Sequence, residues 1–363
     1  MKQIVFTVTN DLNYDQRMIR ICTSLARNGY SIILVGRKNR NSLPLQQQPF
    51  QQKRLHVFFQ RKFFFYCEYN FRLFFYLLFA KADAFCCIDL DTMLPVYFAG
   101  RLRKKKLVYD AHEYFSQQKE IVTRPKIYKV WNWIERNFVP RFRNGYTATQ
   151  SITDEFAKKF QLNYATIRNL PLAQTGEQPL NKSQKIILYQ GAINEARGFE
   201  FLIPAMQMVN AVLHIYGDGN FVPQLNKLIA VYNVESKVKF FDKLLPQQLK
   251  AITHQAYIGL NLVENTGLNQ YYSLANKFFD YIQALVPQVT MDFPEYRKIN
   301  ERYQVALLIE NLTEENIATS LNRLLDDKKL YAQLQHNCSK ARAELNWENE
   351  EKNLWLFYKQ LFG

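Results

Sequence analysis

The stretch Gln190-Gly191-Ala-Ile-Asn-Glu-Ala-Arg197-Gly198-Phe199 directly follows the β-branched run IILY. A glycine ending a strand, with Arg-Gly opening the next helical pattern, puts free backbone N–H groups and a guanidinium where an anion can sit. Taken alone, such a pattern is more often an ordinary turn with a surface arginine. It recurs in company, however. Ile215-Tyr-Gly217-Asp-Gly219-Asn220 closes the next strand with two glycines, which let a ligand approach the backbone. Glu264-Asn-Thr-Gly267 follows, then Leu274-Ala-Asn276-Lys277-Phe-Phe-Asp280, reaching Pro287. Asn276 could cap a helix pointing at a phosphate, and Lys277 adds a cation there. Asp280, one turn along, could accept two hydrogen bonds from a ribose diol or could be a solvated helix charge. In the first half, His112 is one of five histidines and stands between Asp110 and Glu113 at a strand's end. A lone histidine is more often structural, but this polar cluster points to function. Asp15 and Arg17 lie at the mouth of the first strand and could pair with each other. No carboxylate pair flanking a bond, as a glycoside hydrolase requires, is recognisable.

The elements that must carry these groups alternate strand and helix. Residues 3–9 read as a buried strand, 16–28 as a helix stopped by Gly29, and 31–35 as a second strand. Residues 55–59, 84–89 and 106–109 are further strands, the last leaving His112 on the loop after it, and the QQQPFQQ run at 46–52 reads as an exposed loop. Periodicity fades over residues 162–180, with Asn169, Pro171, Gly176 and Pro179, which reads as an interdomain linker. Strands then resume at 186–189, 212–216, 238–241, 258–263 and 305–309. The expected fold is therefore α/β: two doubly wound parallel-sheet domains, binding ligands at the carboxyl ends of their strands with a cleft between them as the natural active site. The expected boundaries are 1–170, 171–345 and a terminal helix, 346–363, rich in large apolar residues and packing across the domains.

Composition narrows the classes. At 363 residues, two domains are the leading expectation. With 48% hydrophobic and 22% charged residues, the chain has material for packed cores, which excludes disordered and collagen-like classes. Five cysteines without a C-x-x-C spacing suggest neither a disulfide framework nor a zinc finger and fit a cytoplasmic protein. The N-terminus shows no signal-peptide core, and the most apolar stretch, residues 73–80, falls far short of the roughly 18 residues that span a bilayer. The net charge of +15 is unevenly placed: residues 1–170 hold 28 Lys+Arg against 12 Asp+Glu, a net of +16, and residues 171–363 hold 19 against 20. One domain therefore faces a negatively charged partner, nucleic acid or anionic lipid.

Taken in order, strand-G-x5-[KR]-G, strand-G-D-G, V-x-F at 238–240 and an acidic residue seven before a proline resemble the nucleotide-sugar domain of retaining GT-B glycosyltransferases of family four. Thr9-Asn10-Asp11 through Asp15-Gln16-Arg17, Val108-Tyr-Asp110-Ala-His112-Glu113 and Arg168-Asn169-Leu-Pro171 resemble one bacterial branch of that family. The resemblance covers the whole chain and implies two Rossmann-like domains. It implies that Arg197 binds the donor diphosphate, with Gly191 and Lys277 beside it, and Asp280 the ribose hydroxyls. Backbone around Gly217, Gly219 and Phe240 would frame the base. His112, with Asp110 and Glu113, would contact the donor sugar or acceptor at the reaction centre, and Asn10, Asp15 and Arg17 would serve the acceptor. No divalent metal and no cofactor is expected; the donor, a UDP- or GDP-linked sugar, is a substrate. The sequence departs from the family in having Tyr272 and Asp280 where a glutamate pair E-x7-E is usual, and Ala192 where many members carry a second basic residue. Glu264 could substitute for the missing proximal glutamate. The leaving diphosphate would be stabilised by cations and a helix N-terminus, and could itself accept the incoming hydroxyl's proton.

Between Phe58 and Phe79 stand twelve Phe or Tyr residues, interleaved with Arg61, Lys62 and Arg72, and a basic run RLRKKK follows at 101–106. Twelve is more than one packed helix face needs. The surplus suits a protein resting on an anionic membrane. Aromatic residues beside cations also suit single-stranded nucleic acid, and the alternative reading is a basic nucleic-acid-binding or non-catalytic nucleotide-binding α/β protein. Against nucleic acid as a partner, the phosphate-type motifs lie in the neutral half and no nucleic-acid motif is recognisable. The expected partners are a nucleotide sugar, a glycan or lipid-linked acceptor, and the inner face of the cytoplasmic membrane, reached through the N-terminal domain.

Overall fold

The structure, a computed structural model, describes residues 1–13, 15–60, 62–174 and 184–363. Tyr14, Arg61, Gly176 and Pro179 lie outside the described residues. The chain divides into two compact units: residues 1–169 with 350–363, and residues 170–349. The terminal segment 350–363 thus belongs with the first unit, where Leu354, Tyr358 and Leu361 are buried and Tyr358 packs against Phe6, Tyr30 and Tyr146.

The first unit is built on seven strands: β1 (Gln3–Thr7), β2 (Ser31–Lys38), β3 (Gln51–His56), β4 (Ala84–Ile88), β5 (Lys106–Ala111), β6 (Asn144–Thr147) and β7 (Ala165–Thr166). They pair in the order β3-β2-β1-β4-β5-β6-β7, all parallel. The central strands are continuous apolar runs because helices cover both faces; every residue of β4, AFCCI, is buried. The second unit repeats the plan with β8 (Ile186–Gln190), β9 (Val212–Tyr216), β10 (Val238–Phe241), β11 (Ile258–Asn261), β12 (Gln288–Met291) and β13 (Ala306–Ile309). Its parallel order is β10-β9-β8-β11-β12-β13. In both sheets the order reverses beside the first strand, between β1 and β4 and between β8 and β11. Ligand crevices open at that switch point, outside the strands' carboxyl ends.

The expectation of two doubly wound parallel sheets holds, with local corrections. The edge strand β3 begins at Gln51, so the end of the glutamine run is strand and residues 57–59 lie beyond it. β3 pairs with β2 from Ile33↔Gln51 to Lys38↔His56, and as an edge it leaves alternate residues in water. β5 runs two residues beyond the expected end and takes Asp110 inside the sheet. The described part of the expected linker is packed: Leu162, Tyr164, Ile167 and Leu170 are all buried. The helix Gln16–Arg27 ends where expected; Asp15 caps its start by accepting from Met18 N at 3.1 Å, and Gly29 follows its end at φ +82°.

Candidate functional site

At the carboxyl end of β8 the chain must turn beside β9 with almost no room. Gly217 N donates to Phe241 O at 3.2 Å and Gly191 N to Tyr216 O at 3.0 Å, lacing three strand ends together. A Cβ on Gly217 would lie 1.9 Å from the Gly191 carbonyl oxygen, and Gly191 itself sits at φ +124°. Only glycine fits either position. Gly219 follows, its N–H donating to Asp218 Oδ1 at 2.7 Å. Gly217→Ala is expected to force this loop open and weaken nucleotide binding by at least about tenfold. Titration with UDP and GDP checks it; undiminished affinity would remove the loop from the site.

Arg197 stands half-buried on the loop before the helix Phe199–Ala205. That loop is held against the end of β11, where Glu264 N donates to Ala196 O at 3.0 Å. Glu264 is thereby fixed one residue from Arg197 along this contact, and Thr266 N donates back to Glu264 O at 2.9 Å. Lys277 comes from the helix Asn276–Gln283 and lays its ammonium over the Tyr189 ring, 3.7 Å from the centroid. A Cβ on Gly191 would stand 3.5 Å from Lys277 Nζ, so the ammonium borders the bare backbone of the β8 turn. Burial, then the neighbouring Arg197 guanidinium, push the Lys277 pKa well below the ordinary lysine value, while Asp280 pulls the other way. Two cations crowded at a strand's carboxyl end are a standing repulsion that a dianion relieves.

Asp280 is oriented by residues the sequence reading did not single out. Gln190 Nε2 donates to Asp280 Oδ2 at 3.2 Å, and Thr253 Oγ1 donates to Gln190 Oε1 at 2.7 Å. Phe240, in register with Ile215 on β9, is partly buried; the neighbouring Phe241 stacks on Tyr216 at 4.5 Å and 10°, a flat aromatic pair beside Gly217. One expectation is corrected. Asn276 is the first helical residue and the cap is Ala275, without a side-chain capping bond, so Asn276 does not cap the helix. Tyr272 ends the short helix Leu268–Tyr271, with its ring 5.5 Å from that of Tyr271.

The first unit gathers a second cluster at the ends of β1, β4 and β5. Asp110 is fully buried, accepting from Arg17 Nη2 at 3.2 Å and standing 3.1 Å from His112 Nε2. Burial alone would raise the Asp110 carboxyl, but His112 and Arg17 outweigh it and hold the pKa below its usual value. Burial likewise opposes the imidazolium of His112, and Asp110 outweighs it and raises the pKa. His112 N donates to Asp89 Oδ1 at 2.9 Å, and Thr9 Oγ1 to Asp91 Oδ2 at 2.6 Å. Burial pushes Asp91 up to about 6 and Asp89 well above the carboxylate range. Asp89 adopts φ +52°, a sparsely populated conformation for a non-glycine residue that costs roughly 1–3 kcal/mol and tends to mark functional sites.

Asp89 and Asp91 were missed in the sequence, although they immediately follow the buried strand AFCCI at a switch point, which was the available signal. Asp15 and Arg17 do not pair: Arg17 goes to Asp110, whereas Asp15 caps its helix and accepts from Asn10 Nδ2 at 3.1 Å. Glu113 is exposed and accepts from Gln118 Nε2 at 2.6 Å. Arg17, Asp110 and His112 are thus brought together, Asn10 meets Asp15, and Glu113 N donates to Asp89 Oδ1 at 3.4 Å, the carboxylate oxygen that His112 N also meets.

Residues 173–341, which carry the strands β8–β13, match the family described as glycosyl transferases group 1. The second unit belongs to that family. The chain as a whole has the GT-B fold: sucrose-phosphate synthase from Thermosynechococcus elongatus superposes with a TM-score of 0.80 at 15% identity, covering 100% of this chain and 99% of that one. Anabaena HepE in complex with UDP-glucose superposes at 0.78 with 11% identity, covering 99% of each chain. A mutant of S. aureus TarM, in complex with Fondaparinux, alpha-GlcNAc-glycerol and UDP, gives 0.75 at 11% identity, covering 99% of this chain and 100% of that one. No curated protein matches the sequence significantly. Within the group 1 domain, every donor-side residue named from the sequence lies on the loops and helices that follow β8, β9 and β11, or in the case of Phe240 within β10 itself.

Proposed function

We propose that the protein is a retaining glycosyltransferase that moves a sugar from a UDP- or GDP-linked donor to a glycan or lipid-linked acceptor, in the synthesis of cell-surface polysaccharide or glycolipid. The observation that carries this is the Lys277 ammonium beside the bare backbone of Gly191, with Arg197 on the loop that follows that glycine and near enough to bear on the ammonium's charge. As the glycosidic bond breaks, the diphosphate gains charge, and two preplaced cations lower the barrier because they need not reorganise. Lys277, arriving from the helix Asn276–Gln283, takes over the charge that Ala192 does not supply, and no divalent metal is required. Asp280, held by Gln190, accepts from the ribose hydroxyls, and the Tyr216–Phe241 pair flanks the base. In the first unit, Asp110 and Arg17 hold His112 for contact with sugar hydroxyls. The basic first unit rests on the inner face of the cytoplasmic membrane, where a lipid-linked acceptor is found. Incubation with each nucleotide sugar and a lipid-linked acceptor, followed by NMR of the product, tests the reading. The expected product keeps the donor's anomeric configuration and forms undiminished in EDTA; an inverted product or EDTA-sensitive transfer overturns it.

Lys277 gives the donor site a pH dependence with a definite sign. In the free protein its pKa is depressed, and a bound diphosphate raises it, so the protonated form binds more tightly. Affinity for the UDP- or GDP-sugar, whose diphosphate diester has no terminal phosphate to titrate near neutrality, is therefore expected to be highest below the free-state value and to fall as pH rises from the free-state value toward the bound-state value. Lys277→Gln abolishes that slope, and a titration series across pH that shows the same slope in this variant contradicts the assignment.

A further inference from the structure

The first unit carries a face that takes no part in the site at its strands' carboxyl ends. The helix Lys62–Phe79 buries Phe65, Tyr69, Leu73 and Leu77 and turns Phe71, Phe75 and Phe79 to solvent, 65%, 45% and 83% exposed. The helix Met93–Leu102 packs beside it, exposing Phe98 and Leu102, and Arg103 Nη1 donates to Leu77 O at 2.8 Å where the two helices end together. Next to this end, at the start of β5 and hence at the opposite end of that strand from His112, a hollow of about 450 Å³ is lined by Arg101, Lys104, Lys105 and Arg141, with Tyr97 and Leu107. Among the described residues Arg101, Lys104 and Lys105 make no ion pair, and Arg141 lies over the rings of Tyr97 and Phe138 at 5.3 and 5.1 Å. Four cations line the hollow without a carboxylate among its lining residues, and large apolar side chains stand out of the protein beside it.

We propose that this hollow binds the phosphoryl headgroup of an anionic phospholipid while Phe79, Phe98 and Leu102 enter the bilayer interface. The inference rests on the membrane attachment proposed above and fixes the face that makes it. The charges supply complementarity to a phosphate, and the adjoining apolar side chains select a bilayer over a soluble phosphate, because exposed rings and an exposed leucine gain nothing from a free anion. These side chains stand out from two adjacent helices, with Phe71, Phe75 and Phe79 in a stripe along one of them, an apolar surface that suits a bilayer interface better than stacking on single-stranded nucleic acid.

Flotation of the full-length protein with vesicles of phosphatidylglycerol and phosphatidylcholine, or of phosphatidylcholine alone, tests the site. Wild-type protein is expected to float with the anionic vesicles only. Arg101→Gln/Lys104→Gln/Lys105→Gln is expected to lower partitioning on the order of 100-fold. A triple variant of equal charge loss elsewhere in the unit, Arg40→Gln/Lys53→Gln/Lys158→Gln, stays within a few-fold of wild type. The single exposed changes Arg101→Gln and Lys104→Gln give the same readout, each about fivefold, if the triple variant does not fold. Wild-type flotation that the pocket variant shares, or that the control variant loses equally, overturns the site and leaves membrane attachment standing. Wild-type protein that stays at the bottom of the gradient overturns both. Protection from thermal unfolding by glycerol phosphate or a single-stranded oligonucleotide, without vesicle binding, reassigns the hollow and overturns the lipid proposal.

Discussion

Arg197→Ala is expected to lower kcat/KM for sugar transfer by roughly 10²- to 10³-fold, the loss typical of removing one fixed donor to a developing oxyanion. Arg197 lies on the loop after β8, near enough to Lys277 for its charge to help depress the Lys277 pKa, and in the proposed site the two face one diphosphate. Removing Arg197 leaves Lys277 to face the diphosphate alone. The effect falls mainly on kcat, because the charge that Arg197 meets is larger in the transition state than in the bound donor. Arg197→Lys keeps the charge and loses the planar fork, so it should recover only part of the rate. Steady-state kinetics with donor and acceptor check this, and an unchanged rate for Arg197→Ala contradicts the phosphate role.

Asp110→Ala is expected to destabilise the first unit by roughly 3–5 kcal/mol, because it strands the Arg17 guanidinium, 4% exposed, without its counter-charge. For a unit of this size the unfolding midpoint should fall by roughly 6–20 °C. The double variant Arg17→Met/Asp110→Leu should recover much of that loss, since well-packed apolar residues often replace a buried pair at little cost. Its activity should stay low, because His112 has lost the carboxylate that orients it. Calorimetry of both variants separates the two effects, and a double variant as unstable as the single one would show that the stranded charge is not the cause.

The parallel-sheet plan was legible because the central strands are mostly apolar: β1, β4, β8 and β9 stand out at nearly their true bounds. Strands that lack that signal were displaced or missed. β3 is the polar hexapeptide QQKRLH, a strand because β2 offers it a ladder, not because its side chains seek a core. β6 and β12, NGYT and QVTM, are four residues each, too short for a period to show, and tertiary pairing decides them. The donor-side residues were legible because glycine spacing reports where backbone must come close, as at Gly217. Partnerships across the chain were not. Arg17 meets Asp110 over 93 residues and Gln190 meets Asp280 over 90, separations at which a single sequence carries no pairing information. The surplus of aromatic residues between Phe58 and Phe79 was visible as a count, and the helix resolves it into a buried stripe at Phe65 and Tyr69 and an outward one at Phe71, Phe75 and Phe79.

The central claim, that the second unit holds the diphosphate of a nucleotide sugar between Arg197 and Lys277, is tested most directly by thermal shift against UDP- and GDP-sugars, UDP, GDP and the bare nucleosides. One diphosphate series should stabilise the wild-type protein, by about 2.7 kcal/mol at 100 times its dissociation constant, with the matching nucleoside far weaker and the shift lost in Arg197→Ala. Equal stabilisation by nucleoside and diphosphate, or a shift that Arg197→Ala retains in full, would contradict it.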